Sequence, residues 1–230
     1  MRTLVVAPHP DDELLGCGGT VLRRISEGSE VGLVFMTSIS TENGWDNSFV
    51  ERRQAEIAEV GVKLGLSSKD VFQLGFPAAQ LDQVPMGTLV QSLSQVFHDF
   101  KPNEILSPHM GDVHSDHRVT AEVVASCAKW FRCPSIERVM AYETLSETGF
   151  SLSSEKAFKP NVYVDISHWL SEKIELLRIY SSEFGQFPFP RSEDAVKALA
   201  QVHGSRAGCS SAEAFELLLE RQGFARESIE

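Results

Sequence analysis

Apolar residues in the first 140 positions follow two alternating rhythms. Short unbroken runs at 4–7 (LVVA) and 31–36 (VGLVFM) have the length and character of strands buried on both faces. Each is followed by apolar residues at helical spacing. Leu14, Leu15, Val21, Leu22 and Ile25 follow the first run, and Ile57, Val60, Gly61 and Leu64 follow the second, stopping near Gly65. A short strand at 71–74, a helix face of Leu89, Val90, Leu93, Val96, Phe97 and Phe100, and a strand at 104–106 continue the series. A helix over 114–131 carries Val119, Val123, Val124 and Ala128 on its apolar side. Strands are expected at 136–142 and 161–166, with a polar loop at 144–159 lying over the sheet edge. Ile166, Leu170, Ile174 and Leu177 predict a final long helix. Residues 184–191 contain Pro188 and Pro190 and cannot be regular helix, and helical patches at 195–202 and 212–219 close the chain. The alternation predicts an α/β fold: a Rossmann-like, doubly wound, mostly parallel sheet with helices on both faces and a C-terminal loop and helix decoration. With 230 residues and no internal repeat, one domain over 1–230 is the economical reading.

Charge and cysteine usage remove several classes. A net charge of −11 argues against a nucleic-acid partner, because binding to a phosphate backbone needs clustered Lys and Arg. The four cysteines form no CxxC pair, so a zinc ribbon or a thioredoxin-like motif is absent, and Cys17 and Cys127 fall in apolar helical patterns as reduced core residues. No apolar run reaches the roughly 18 residues of a membrane span. The chain opens directly on strand-like residues, so no secretory leader is expected and a cytoplasmic location follows as the expectation. The polar residues from about Ala225 onward read as a disordered tail.

Two segments fall where such a sheet places its ligands, just past the carboxyl ends of strands. The first is Pro8-His9-Pro10-Asp11-Asp12-Glu13. Acids at a helix N-terminus gain roughly 0.3–1 kcal/mol each, so capping explains them as well as a metal site does. It does not explain His9 ahead of them, held between two prolines that stiffen the backbone. The second segment runs from Pro108 through His109, Asp112, His114 and Asp116 to His117. His114 and His117, three apart, share one helix face. Asp112 and Asp116 stand close enough to orient an imidazole through its other nitrogen. A lone histidine here would be an idle surface residue. Four of the seven histidines lie in these two loops, which the fold brings together, and that favours a site. Mixed His and Asp donors suit zinc or a similar divalent ion, and three protein ligands with one open position define a catalytic site. Spare groups remain for the proton transfers of hydrolysis. Spacing alone does not separate Asp11 from Asp12, or His114 from His117.

These residues resemble the motifs of the PIG-L/LmbE-like deacetylases, zinc-dependent enzymes acting on N-acetylglucosaminyl compounds. The family's (A/P)-H-P-D-D-E is matched by Pro8-His9-Pro10-Asp11-Asp12-Glu13. Its H-P-D-H is matched by His114-Ser115-Asp116-His117, with serine in place of proline, and a looser R-x-x-E by Arg53-Gln54-Ala55-Glu56. The likeness is good over about the first 120 residues. It is weaker at Tyr142-Glu143 and at Tyr180-Ser181-Ser182-Glu183. By position, the resemblance implies that His9, Asp12 and His117 bind zinc, with iron(II) or another divalent ion as the alternative in the cell. It implies Asp11 as general base and His114 as the group stabilising the developing oxyanion, most useful if protonated, with Asp116 or Asp112 favouring that charge. Arg53 resembles a substrate-contacting residue, although a surface arginine paired with Glu56 reads as well. The implied substrate is a small amino-sugar compound, and a homo-oligomer is in keeping with the family. Under this reading Ser115→Pro is mild.

Two other readings compete. The same zinc site could serve an amidase or deacylase acting on a thiol conjugate or another non-sugar amide, a choice that the loops near 42–49, 76–85 and 144–160 would set. A nucleotide-binding module is disfavoured, because Gly16-Cys17-Gly18-Gly19 lies inside the first helix pattern and the acidic turn before it would repel a pyrophosphate. Small residues there instead permit close helix–sheet packing. Trp45 could stack on a sugar ring or on its own loop, and Phe187 to Pro190 could meet another subunit or form a rigid loop over the core.

Overall fold

The computed structural model describes residues 1–223, so the tail expected from Ala225 lies outside the described residues. Seven strands form one sheet: β1 (Arg2–Ala7), β2 (Glu30–Ser38), β3 (Val71–Pro77), β4 (Glu104–Pro108), β5 (Arg138–Tyr142), β6 (Val162–Asp165) and β7 (Ala212–Glu220), in the order β3-β2-β1-β4-β5-β7-β6. The first five are parallel, whereas β7 runs antiparallel between β5 and β6. The helices are α1 (Asp12–Ser26), α2 (Asn47–Lys63), α3 (Met86–Phe100), α4 (Ser115–Cys127), α5 (Leu170–Leu177) and α6 (Glu193–Ala207).

Period-2 alternation along the central strands divides the core. Val5 and Ala7 of β1 face one layer with Leu14 and Val21 of α1, Ile57 and Val60 of α2, Ile174 of α5 and Val196 of α6. Leu4 and Val6 face the other, with Leu89, Leu93 and Phe97 of α3 and Val123 and Val124 of α4. Helices therefore cover both faces, as predicted.

Three expectations are corrected. Residues 212–219, read as helix, form β7. Ala, Glu and Leu favour helix locally, but pairing with β5 on one side and β6 on the other outweighs that preference. The helix expected over 114–131 ends at Cys127, and residues 129–133 turn ahead of Pro134. The last long helix is only the eight residues of α5. Strand β3 also extends past 74, through Gly75 at φ 74° and a register shift against β2.

The small residues of α1 allow close packing. A Cβ at Gly16 would lie 2.2 Å from the Tyr142 ring, and one at Gly19 would lie 2.8 Å from Ile166. The helix breaks at Cys17 (φ −147°, ψ 20°), and the amides of Gly19 and Thr20 freed by the break donate to the buried Glu213 of β7. Lys173 Nζ bonds both Glu213 and the Leu15 carbonyl, so the buried carboxylate is paired. Among the described residues, no helix is long and apolar enough to cross a membrane.

Candidate metal and catalytic site

Strands β1 and β4 are parallel neighbours, so the loops leaving their carboxyl ends emerge side by side at the point where the strand order reverses. Pro8 is tied to β2 because its carbonyl accepts from both the amide and the hydroxyl of Thr37. His9 follows, and its amide donates to Asp12 Oδ2 at 3.0 Å. From the second loop, His114 is the N-cap of α4, and His117 lies in the first turn, pointing back toward α1.

The Asp12 carboxylate stands between two imidazoles. Its Oδ2 lies 3.2 Å from His9 Nδ1 and 3.2 Å from His117 Nε2. One ligand atom from each of His9, Asp12 and His117 falls within 4.8 Å of the other two. The far nitrogen of each ring is held by a carboxylate: His9 Nε2 by Asp116 at 2.9 Å and His117 Nδ1 by Asp112 at 2.9 Å. Those acids are anchored in turn. Asp116 accepts from the amides of Ala79 (2.7 Å) and Leu81 (3.0 Å), and Asp112 accepts from the Thr148 hydroxyl at 2.7 Å. Two rings oriented through their outer nitrogens, with a carboxylate between their inner ones, form a donor set that fits a divalent ion. A second group of possible donors, His9, His114 and Asp116, shares His9 with the first.

Electrostatics follow from this geometry. Burial alone lowers an imidazole pKa, but at His9 the bonds to Asp116 and Asp12 outweigh burial and push it up to about 9. At His117, Asp12 and Asp112 outweigh burial and push it up to about 10. Burial works against ionisation of Asp12, yet His117 and His9 hold it well below the usual carboxylate range. Asp11 goes the other way: burial and then the Asp12 charge push it well above that range. His114 is lowered by burial and by its neighbours His9 and His117. The acids expected to favour a charged His114 are engaged with His9 and His117 instead. His114 Nδ1 accepts the Asp116 amide at 3.1 Å, which leaves the proton of the neutral ring on Nε2.

A cavity of about 250 Å³ opens onto these groups and is lined by His9, Asp11, Asp12, His114 and His117. Trp45, Phe49, Arg53, Glu147, Glu183 and Arg191 complete much of its wall. Trp45 stacks on Phe49 (centroids 5.4 Å, 15° between planes) and still faces the cavity. Arg53 is buried. It bonds Glu56 at 3.0 Å, the Pro10 carbonyl at 3.1 Å, the Ser182 hydroxyl at 3.0 Å, and Glu183. His109 turns away from the cluster to the Lys156 carbonyl and Glu216. Sequence reasoning passed over Glu147 and Arg191, which lie in irregular segments with no motif around them. Glu13 and Tyr180 stood inside motifs but had no role.

The family model described as PIG-L: GlcNAc-PI de-N-acetylase matches residues 4–128. A diacetylchitobiose deacetylase from Thermococcus kodakarensis is 24% identical, over 92% of this chain and 81% of the relative. The crystal structure of a conserved protein from Thermus thermophilus superposes with a TM-score of 0.76 and 29% identity, covering 98% of each chain. The 4-carboxy-2-hydroxymuconate hydratase GalB of Pseudomonas putida KT2440 superposes with a TM-score of 0.72. At 17% identity, over 99% of this chain and all of that one, it shares the fold alone.

Proposed function

The chain belongs to the PIG-L family of deacetylases, and on that premise we propose that it removes the N-acetyl group from an N-acetylglucosaminyl-type small molecule. One observation carries the reading. His9, Asp12 and His117 converge on one point while Asp11, outside that set, faces the same cavity. The proposed ion is zinc, with iron(II) as the alternative, since nitrogen and carboxylate donors suit both. When bound, the ion supplies Lewis acidity, polarising the acetyl carbonyl and making water a competent nucleophile near neutral pH.

The protein's own groups account for the proton traffic. Asp11 takes a proton from the attacking water and passes it to the leaving amine, and its burial favours holding the proton in between. His114, neutral with its proton on Nε2, donates a hydrogen bond to the oxyanion that develops on the former carbonyl oxygen. Asp112 and Asp116 keep the two ligand rings in place. Arg53 retains one Nη1 hydrogen beyond its bond to Pro10, and through it we assign a contact with substrate at the cavity wall. At about 250 Å³ the cavity is smaller than the roughly 300–1,000 Å³ of drug-sized sites. That size suits a single sugar ring with its aglycone directed outward. The reading takes 1–230 as one deacetylase domain.

The test is amine release from a panel of N-acetylglucosaminides and unrelated acyl amides, run beside metal analysis on wild type and Asp11→Ala. Expected are about one divalent ion per chain in both and a kcat lower by roughly 10²–10⁴ in the variant. A protein that binds metal but cleaves only non-sugar amides would transfer the mechanism to that substrate class. One that binds no divalent ion would refute the proposal.

A further inference from the structure

Asp11 has an unusual backbone. Its φ of 127° with ψ −30° lies in the region L-residues avoid, and it is not a glycine. Its carbonyl is committed to α1, accepting from the amides of Leu14 (3.0 Å) and Leu15 (2.9 Å). Its amide donates to Glu13 Oε2 at 2.9 Å. Glu13 is wholly buried, and its other oxygen, Oε1, accepts from the Tyr180 hydroxyl at 2.9 Å. Tyr180 is buried too and arrives from the turn after α5, with the Arg53 guanidinium carbon 5.6 Å from its ring centre. The Asp11 carboxylate itself takes no hydrogen bond from the described residues. Arg191 acts on it through its charge, but no hydrogen bond or ion pair among the described residues fixes its tip, so its direction depends chiefly on the backbone.

We infer that Glu13 and Tyr180 are positioning residues for the deacetylation: the Tyr180–Glu13 pair clamps the Asp11 amide and so aims the Asp11 carboxylate into the cavity. The inference rests on the reading of Asp11 as general base and adds the device that holds it. Released from Glu13, Asp11 relaxes toward negative φ, and its Cβ swings with the rotation. Asp12 is tied separately, through its bonds to His9 and His117, so metal binding survives the loss. What the Glu13 side chain does for the protein is done by its two oxygens as acceptors. A glutamine can repeat this, accepting from Asp11 with its oxygen and donating to the Tyr180 oxygen with its amide.

The experiment measures kcat, KM and bound metal for Glu13→Ala, Glu13→Gln and Tyr180→Phe, in the wild-type chain and again in Asp11→Ala. In the wild-type background, Glu13→Ala and Tyr180→Phe are expected to lower kcat roughly tenfold or more, because small misplacements of a reacting group are costly. KM should stay within about twofold and metal content should not change, while Glu13→Gln restores most of kcat. In Asp11→Ala the same changes should leave the residual rate unaltered, since the group they position is gone. Tyr180→Phe keeps the test decisive if Glu13→Ala does not fold. Full kcat in Tyr180→Phe and Glu13→Ala, or losses that multiply with that of Asp11→Ala, would overturn the inference while leaving Asp11 as base. A fully active Asp11→Ala would instead remove the base reading, and the clamp with it.

Discussion

At the scale of single residues, the site shows how two short motifs acquire different chemistry from identical side chains. Asp11 and Asp12 are adjacent, yet Asp12 is held ionised between two imidazoles while burial and Asp12 itself push Asp11 upward. Environment separates their roles, as it separates paired carboxylates elsewhere. The same networks predict how the protein responds to pH. The carboxylates around them push His9 up to about 9 and His117 up to about 10, so without metal both rings are expected to carry a proton at pH 7. An ion requires them neutral, and its uptake must expel those protons. Affinity therefore rises with pH below about 9 and levels off above about 10. Calorimetric titration at pH 7 in buffers of different ionisation enthalpy should register release of about two protons per ion. Release of none would mean that the rings are already neutral and that the carboxylates around them matter less than the geometry implies. The motif residues were legible one by one, including the Asp112 and Asp116 partnership with ring nitrogens. Which acid served which ring was not legible, because His9 and Asp116 are separated by 107 positions.

At the scale of elements, helix starts carry the chemistry. Helix α4 begins at Ser115, directly after its cap His114, whose φ −71° and ψ 130° are the values a residue before proline adopts. Proline is favoured at the first position of a helix, where no intrahelical bond is lost. Ser115→Pro should therefore keep kcat within about threefold and leave stability unchanged or raised by roughly 0.4–1 kcal/mol. Kinetics and a thermal melt check this, and a large loss of either would show that the loop needs freedom the structure does not display. Helix α1 is handled differently. Its glycines let it approach Tyr142 and Ile166, and its break at Cys17 is capped from outside by Glu213. Close packing was readable from the small residues. The break was not, because the carboxylate that satisfies it is 193 positions away from Thr20. The same distance effect hid β7, whose Ala, Glu and Leu residues read as helix until two partner strands are present.

For the whole molecule, the site is a joint between its two sequence halves: α1 with its leading loop contributes His9 and Asp12, and α4 contributes His117, to the proposed ligand set. Binding across that joint favours only the folded chain. An ion present at a thousandfold its Kd adds about 4 kcal/mol, and for a chain of this size each kcal/mol shifts Tm by about 2–4 °C. Chelation should thus lower Tm by roughly 8–16 °C, restored on adding zinc. An unchanged melt would deny the ion any structural share. What the sequence by itself determined was local: the alternation of strand and helix over the first five strands, and the two motifs at strand ends. Periodicity and short-range spacing are written into neighbouring residues, and a parallel sheet then leaves those ends little choice but to meet. Only the tertiary structure decided the insertion of β7, the pairing of Asp116 with His9 and Asp112 with His117, the neutral state of His114, and the clamp of Tyr180 on Glu13. Each depends on contacts between residues far apart in the chain, whose worth is set by burial and by the partner that folding delivers.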